Sequence, residues 1–92
     1  MSEPAVQHHA APRRYTVEAD GGTAFLEYEL EGAVMTFTHT FVPPELRGRG
    51  LAEILVRRAL ADARDANRRV VPQCSYVARF IARHAEFQPL CA

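Results

Sequence analysis

The chain has 92 residues, 48% of them hydrophobic, with no net charge and two cysteines, so one small compact domain is expected, not two. No apolar run approaches the roughly 20 residues that span a bilayer, and the first dozen residues lack the basic and apolar regions of a secretion signal, so a soluble, cytoplasmic protein without a membrane partner is expected. The zero balance hides a division: residues 1–46 carry two arginines against seven carboxylates (−5), residues 47–92 carry nine arginines against four carboxylates (+5), and lysine is absent, so an anion would prefer the second half.

Residues 1–12 hold two prolines, the adjacent His8 and His9 and little periodicity, and are expected to be a flexible tail ahead of a single domain spanning 13–92. From Arg14 the pattern alternates. Tyr15, Val17 and Ala19 form one face of a first strand that ends at a Gly21-Gly22 turn; Ala24, Leu26, Tyr28 and Leu30 form one face of a second, turned at Gly32. In a third, Met35, Phe37, His39 and Phe41 share a face, and Pro43-Pro44 ends it because proline cannot donate to a ladder.

From Leu51 to Asn67 the period becomes helical, with Ala52, Leu55, Val56, Ala59, Ala63 and Ala66 on one face and Ile54 stranded on the charged side. Asn67 suits a left-handed cap, residues 69–74 read as a short buried strand, and Ser75 can cap a last helix carrying Val77, Phe80 and Ile81. The expectation is an α/β (α+β) fold: a mixed, mostly antiparallel sheet of about four strands with two helices. The third and fourth strands run parallel through a helical crossover. The loop 42–50 and Cys74 then leave the C-terminal ends of those strands, where α/β sheets bind ligands.

That loop contains the stretch "VPPELRGRGLAE". A Walker loop is excluded, since it needs a lysine. A dinucleotide fingerprint is weak, because Glu53 stands where its third glycine belongs. What remains is Arg47-x-x-Gly50-x-Ala52 opening a helix after a strand: small residues, free N–H groups and a helix dipole, which together make a physical cradle for a diphosphate.

The stretch "VPPELRGRGLAEILVRRAL" resembles the acetyl-CoA-binding motif of the GNAT acyltransferases (Arg or Gln, x, x, Gly, x, Gly or Ala), and residues 14 to 88 resemble the small single-domain GNAT-like N-acetyltransferases. The resemblance implies an acetyl-CoA-dependent N-acyltransferase. Coenzyme A would enter a gap between the strands at 34–42 and 69–74, its diphosphate held by Leu46, Arg47, Gly48, Arg49, Gly50, Leu51 and Ala52 and its thioester pointing towards Cys74. Larger GNAT enzymes add two helices that shape the acceptor site; without them the groove should be open to a small amine or a protein. The family's tyrosine that protonates the leaving thiolate is replaced by Ala82, and the small family's Cys-Pro-aromatic string reads Cys74-Ser75-Tyr76.

Acyl transfer from a thioester needs a nucleophile and a base. Cys74 stands at the ligand edge before a helix start that favours its thiolate, as a residue to accept the acetyl group or line its pocket; the alternative is a packed strand cysteine. His39 has the ionisation of a general base but could equally be a hydrogen-bonded core residue. His84 is better placed for packing, and Glu45 beside Arg47 for a surface ion pair. No His, Cys, Asp and Glu set has metal-ligand spacing, and a thioester donor requires no metal. Two alternatives stand beside the enzyme: a coenzyme A-binding module without turnover, and a small nucleic-acid-binding domain. The second ranks last, because no aromatic residues interleave the arginines of the long helix and Glu53, Asp62 and Asp65 would repel a backbone. Small size and a stray Ile54 also leave pairing as a homodimer open.

Overall fold

The computed structural model describes residues 5–91. A five-stranded sheet has the order β1-β2-β3-β4-β5, with β1 Val6–Ala10, β2 Arg13–Ala19, β3 Gly22–Glu31, β4 Val34–Phe41 and β5 Arg69–Pro72. The first four strands pair antiparallel, and β4 and β5 pair parallel across the helix α1, Leu51–Asp65. A second helix, α2 (Ser75–Arg83), follows β5. This is the expected mixed architecture with one strand more.

The additional strand corrects the expected tail. Val6–Ala10 lies antiparallel along β2, pairing Val6 with Val17 and His8 with Tyr15, while residues 1–4 are outside the described residues. Its signal is weak because only Val6 is a strong apolar residue. The strand is held instead by polar contacts: His8 Nε2 meets the Tyr28 hydroxyl at 2.5 Å with the His8 ring stacked on Tyr15, and His9 Nε2 meets Thr16 Oγ1 at 3.0 Å. The Tyr15 hydroxyl donates in turn to Asp62 on α1 at 2.9 Å.

One face of the sheet is the core. Tyr15, Val17, Ala24, Leu26, Tyr28, Met35, Phe37 and Val70 point inward and meet Leu51, Leu55, Val56, Ala59, Leu60 and Ala63 of α1 and Val77, Phe80 and Ile81 of α2, all in one buried cluster. Leu51 and Leu60 join the expected helix stripe, whereas Ala66 is exposed and falls beyond the last helical turn. There Asn67 takes the left-handed conformation (φ 56); its N–H bonds to Arg64 O and the Arg68 N–H to Ala63 O, the paired bonds of a Schellman ending. Strand β5 stands at the sheet edge, so Val71 is only half-buried instead of fully enclosed.

The face reading of β4 needs a further correction. Phe25, Leu26 and Glu27 pair with Phe41, Thr40 and His39, but Tyr28 pairs with Phe37, leaving Thr38 as an extra residue whose Oγ1 bonds to Glu27 O at 3.3 Å. A bulge of one residue reverses the faces that follow it. Met35 and Phe37 are fully buried, while His39 and Phe41 emerge on the opposite, outer face beside Phe25, with ring centroids 6.1 and 5.4 Å from it. Thr40 turns inward in their place.

Candidate functional site

Pairing between β4 and β5 stops at Phe37 and Pro72, and a last bond runs from the Cys74 N–H to Phe37 O at 2.8 Å. Strand β4 continues to Phe41 with no partner on that side among the described residues. At this opening lies a cavity of about 430 Å³, walled by the end of β4 (Thr40, Phe41) with Val42 just beyond it, the loop and first turn of α1, and Tyr76 of α2. Of the seven residues expected to hold a diphosphate, six line it: Leu46, Arg47, Gly48, Gly50, Leu51 and Ala52.

The loop has physical reasons for its path. After β4, Pro43 and Pro44 open a single 3-10 turn, Pro44–Leu46, that drops the Leu46 side chain into the core. Gly48 (φ 85) and Gly50 (φ 76) both take the left-handed conformation, which costs most residues with a side chain about 1–2 kcal/mol. A Cβ on either would meet nothing within 4 Å, so the space above both is open to a ligand. Gly50 is the N-cap of α1 and no side chain caps it, leaving the first-turn N–H groups, with the positive end of the helix dipole, facing that space. A diphosphate fits this donor set. Arg47 is exposed and its Nε bonds to Val42 O at 3.1 Å, close enough to contribute charge.

Arg49 departs from the group. Its guanidinium is paired with Asp20 at the β2–β3 turn, and it lines a neighbouring groove with Val6, Ile54, Arg57 and Arg58 instead. Ile54, stranded by the helix pattern, thus shares a wall with the unforeseen strand β1.

Cys74 is the N-cap of α2, and Ser75, expected in that role, is the first helical residue. The Cys74 carbonyl accepts the Ala78 N–H at 3.0 Å and its Sγ lies 3.3 Å from Thr40 Oγ1. Burial alone would push this thiol up, but the Thr40 hydroxyl and the backbone N–H groups of Val77 and Tyr76 stabilise the thiolate enough to bring it below its ordinary value. His39 is not brought to this thiol: consecutive residues on a strand face opposite ways, so it stands across the sheet from Thr40 and Cys74. His84 stacks on Phe80 at 3.9 Å and bonds to Phe80 O, which is the packing role expected of it. Glu45 is exposed and makes no ion pair with Arg47 among the described residues.

Two wall residues escaped the sequence reading. Thr40 turns inward only because of the bulge, and Tyr76, in the first turn of α2, reaches the cavity from the helix that Cys74 caps. Burial raises the Tyr76 phenol above its ordinary value, with Glu53 adding to this and Arg83 and Arg79 opposing it, so it keeps its proton at neutral pH. The one available signal was an aromatic two residues after a cysteine at a strand end.

The fold is thus a mixed sheet parted between two parallel strands, with an uncapped glycine-rich helix start at the opening. The family model described as GCN5-related N-acetyl-transferase matches residues 14–90, and the chain belongs to that family. Among curated proteins, NATD1 of Bos taurus is 34% identical over 79 residues, covering 83% of this chain and 70% of the relative, and NATD1 of Homo sapiens is 32% identical over the same length and shares. Among solved structures, the solution structure of a GCN5-like protein from Staphylococcus aureus aligns with a TM-score of 0.77, covering 100% of this chain and 91% of that one. At 20% identity that likeness concerns the fold. No helix among the described residues is long and apolar enough to cross a membrane.

Proposed function

We propose that this protein is an acetyl-CoA-dependent N-acetyltransferase that takes its donor in the cavity at the start of α1 and passes the acetyl group to an amine. One observation carries the reading: a single cavity combines uncapped helix N–H groups, two glycines with open space above them, the Tyr76 phenol, and Thr40, behind which the Cys74 sulfur lies 3.3 Å from the threonine hydroxyl. The diphosphate would rest on the backbone between Leu46 and Ala52, with Arg47 adding charge-assisted donors. Bound acetyl-CoA supplies an activated acyl carbon.

Transfer forms a bond from the amine nitrogen to that carbon and breaks the carbon–sulfur bond, so the nitrogen must lose a proton and the sulfur gain one. Tyr76 holds a proton on the cavity wall. It can give that proton to the departing sulfur and recover the one the nitrogen sheds, the task that the family pattern gives to a tyrosine at the position of Ala82, here exposed on α2. Phe41 belongs both to the cavity wall and to the outer aromatic group with His39 and Phe25. An amine arriving over that outer face as its ammonium form would give its first proton to His39, leaving the free amine whose second proton passes to Tyr76 as the new bond forms.

The separation of His39 from Cys74 and the exposed position of Ala82 favour one rival, a coenzyme A binder without turnover. Calorimetric titration with acetyl-CoA and thiol-release kinetics over a panel of amines separate the two, with Tyr76→Phe alongside. The enzyme reading expects uptake, thiol release, and a loss of roughly 10²-fold in release with unchanged uptake in the variant. Uptake without release above background makes the protein a binder. No uptake at millimolar donor refutes both.

A further inference from the structure

The outward side of α1 has a pattern of its own. Its buried residues, from Leu51 through Val56 and Leu60 to Ala63, face the sheet, and opposite them stand Ile54 and Ala61, both half-buried. Seven positions make almost two whole turns, so these two lie on one line along the helix, roughly 10 Å apart. Arg57 and Arg58 stand between them and are drawn to opposite flanks. Arg57 pairs with Glu53 at 3.1 Å and with Glu86, beyond α2, at 3.8 Å, and lies over the Phe80 ring. Arg58 pairs with Asp62 at 3.1 Å, donates to Val6 O at 3.3 Å and lies over the Tyr15 ring. The groove beside β1, about 620 Å³, runs along this stripe, with Ile54, Ala61 and Val6 as apolar residues in its lining.

Charge decides what kind of partner fits. Arg49, Arg57 and Arg58 are answered by Asp20, Glu53, Glu86 and Asp62, three cations against four carboxylates on the same surface. A nucleic acid or an anionic membrane would find no surplus of positive charge there and would have to displace carboxylates. Both signs interspersed around an apolar centre make a surface that is complementary to itself, as contact across a two-fold axis requires.

We infer that this face is a homodimer interface in which two α1 helices pack antiparallel, Ile54 of each copy seated over Ala61 of the other. Residues 54 and 61 are equally far from the midpoint between Arg57 and Arg58, so one two-fold axis at that midpoint makes both contacts at once. The small Ala61 leaves the room that the larger Ile54 fills, and the stems of the two arginines, their charged ends held to the flanks, border the contact. Antiparallel alignment also sets the positive start of each helix beside the negative end of the other. The inference is independent of what the donor cavity binds.

The test is sedimentation equilibrium of the full chain. One helix face is a smaller contact than the roughly 800 Å² per partner of a standard interface, so half-association is expected at about 10–100 µM. Ile54→Ala should weaken association about tenfold by emptying the seat, and Ala61→Ile should weaken it by setting two large side chains against each other. The exchange Ile54→Ala/Ala61→Ile puts large over small again and should return association to within about threefold of wild type. Ala61→Glu should be monomeric yet keep the wild-type melting curve, because its carboxylate falls three and four positions from Arg58 and Arg57 on the same helix. Phe41→Glu, on the outer sheet face, should associate like wild type. A wild type that stays monomeric to about 500 µM overturns the inference, as does association that survives Ala61→Glu or is abolished by Phe41→Glu. Failure of the double exchange to recover what its single changes lose overturns the pairing of Ile54 with Ala61, and that series decides alone if Ala61→Glu does not fold.

Discussion

Replacing Thr40 by valine removes the hydroxyl that faces the Cys74 sulfur at 3.3 Å while leaving a β-branched side chain of similar bulk in the strand. The Cys74 thiol lies below its ordinary value although burial pushes it up, because the Thr40 hydroxyl and the N–H groups of Val77 and Tyr76 favour the thiolate. A hydrogen bond to a charged group is worth about 1.5–3 kcal/mol, so its loss should cut the thiolate population roughly 10- to 150-fold at a pH below the thiol's midpoint. The more basic thiolate that remains is intrinsically more nucleophilic, which returns about half of that change on a logarithmic scale. The net expectation is a fall of roughly four- to fifteenfold in the alkylation rate at neutral pH. The assay is iodoacetamide labelling followed by intact mass in a Cys91→Ser background, so that one thiol reports. Thr40→Ser keeps the hydroxyl and should label nearly as fast as the parent. An unchanged rate in Thr40→Val, or an equal fall in both variants, would refute the argument that this hydroxyl, brought inward by the bulge, sets the reactivity of Cys74.

Gly50→Ala should cost about 1–2 kcal/mol in denaturant unfolding, from the left-handed φ of 76 alone, because its Cβ meets nothing within 4 Å; since that methyl group would occupy the space above the helix start, calorimetry should show a larger loss in acetyl-CoA binding than in stability. Gly22→Ala acts through packing: its Cβ would come within 2.9 Å of Leu46 Cδ1, and Leu46 is buried, so a loss of about 1–3 kcal/mol is expected in the same unfolding assay. His8 is held below its ordinary value chiefly by burial, with Asp62 opposing and Arg58, Arg68 and His9 assisting. Its neutral form is therefore the one the fold prefers. The contribution is fully present above the unfolded-state value of 6.5 and is lost as pH falls from there through the lower native value. A small drop in melting temperature between pH 7 and pH 5 should accordingly flatten in His8→Gln; an unaltered pH profile in that variant would remove the His8–Tyr28 contact as its cause.

Much of the fold was legible because its signals are local. Strands β2, β3 and β4 announce themselves by two-residue alternation, α1 by its 3.6-residue period, and Asn67 by its tolerance of the left-handed region that ends the helix. The crossover from β4 to β5 then permits only a parallel pair. The loop was legible too, since glycines at 48 and 50 after a double proline and before an apolar helix point to an open helix start. The sequence-based reading failed at β1, whose histidines are held by Tyr15, Tyr28 and Thr16 from other strands, and at Cys74, because the choice of helix start between it and Ser75 depends on the bond to Phe37 O.

By itself, then, the order of residues determined the succession of strands and helices from β2 onward, the family pattern of the loop, and the split of charge between the two halves. Tertiary structure decided which side of the sheet each reactive group occupies and which arginines remain without a partner. The reason is physical: the alternation "TFTHTF" reads identically with or without an extra residue at Thr38, and only pairing with β3 reverses the face of everything beyond it. Likewise, a guanidinium's availability depends on carboxylates that chain folding brings from elsewhere, as Asp20 is brought to Arg49 and none is brought to Arg79 or Arg83 among the described residues.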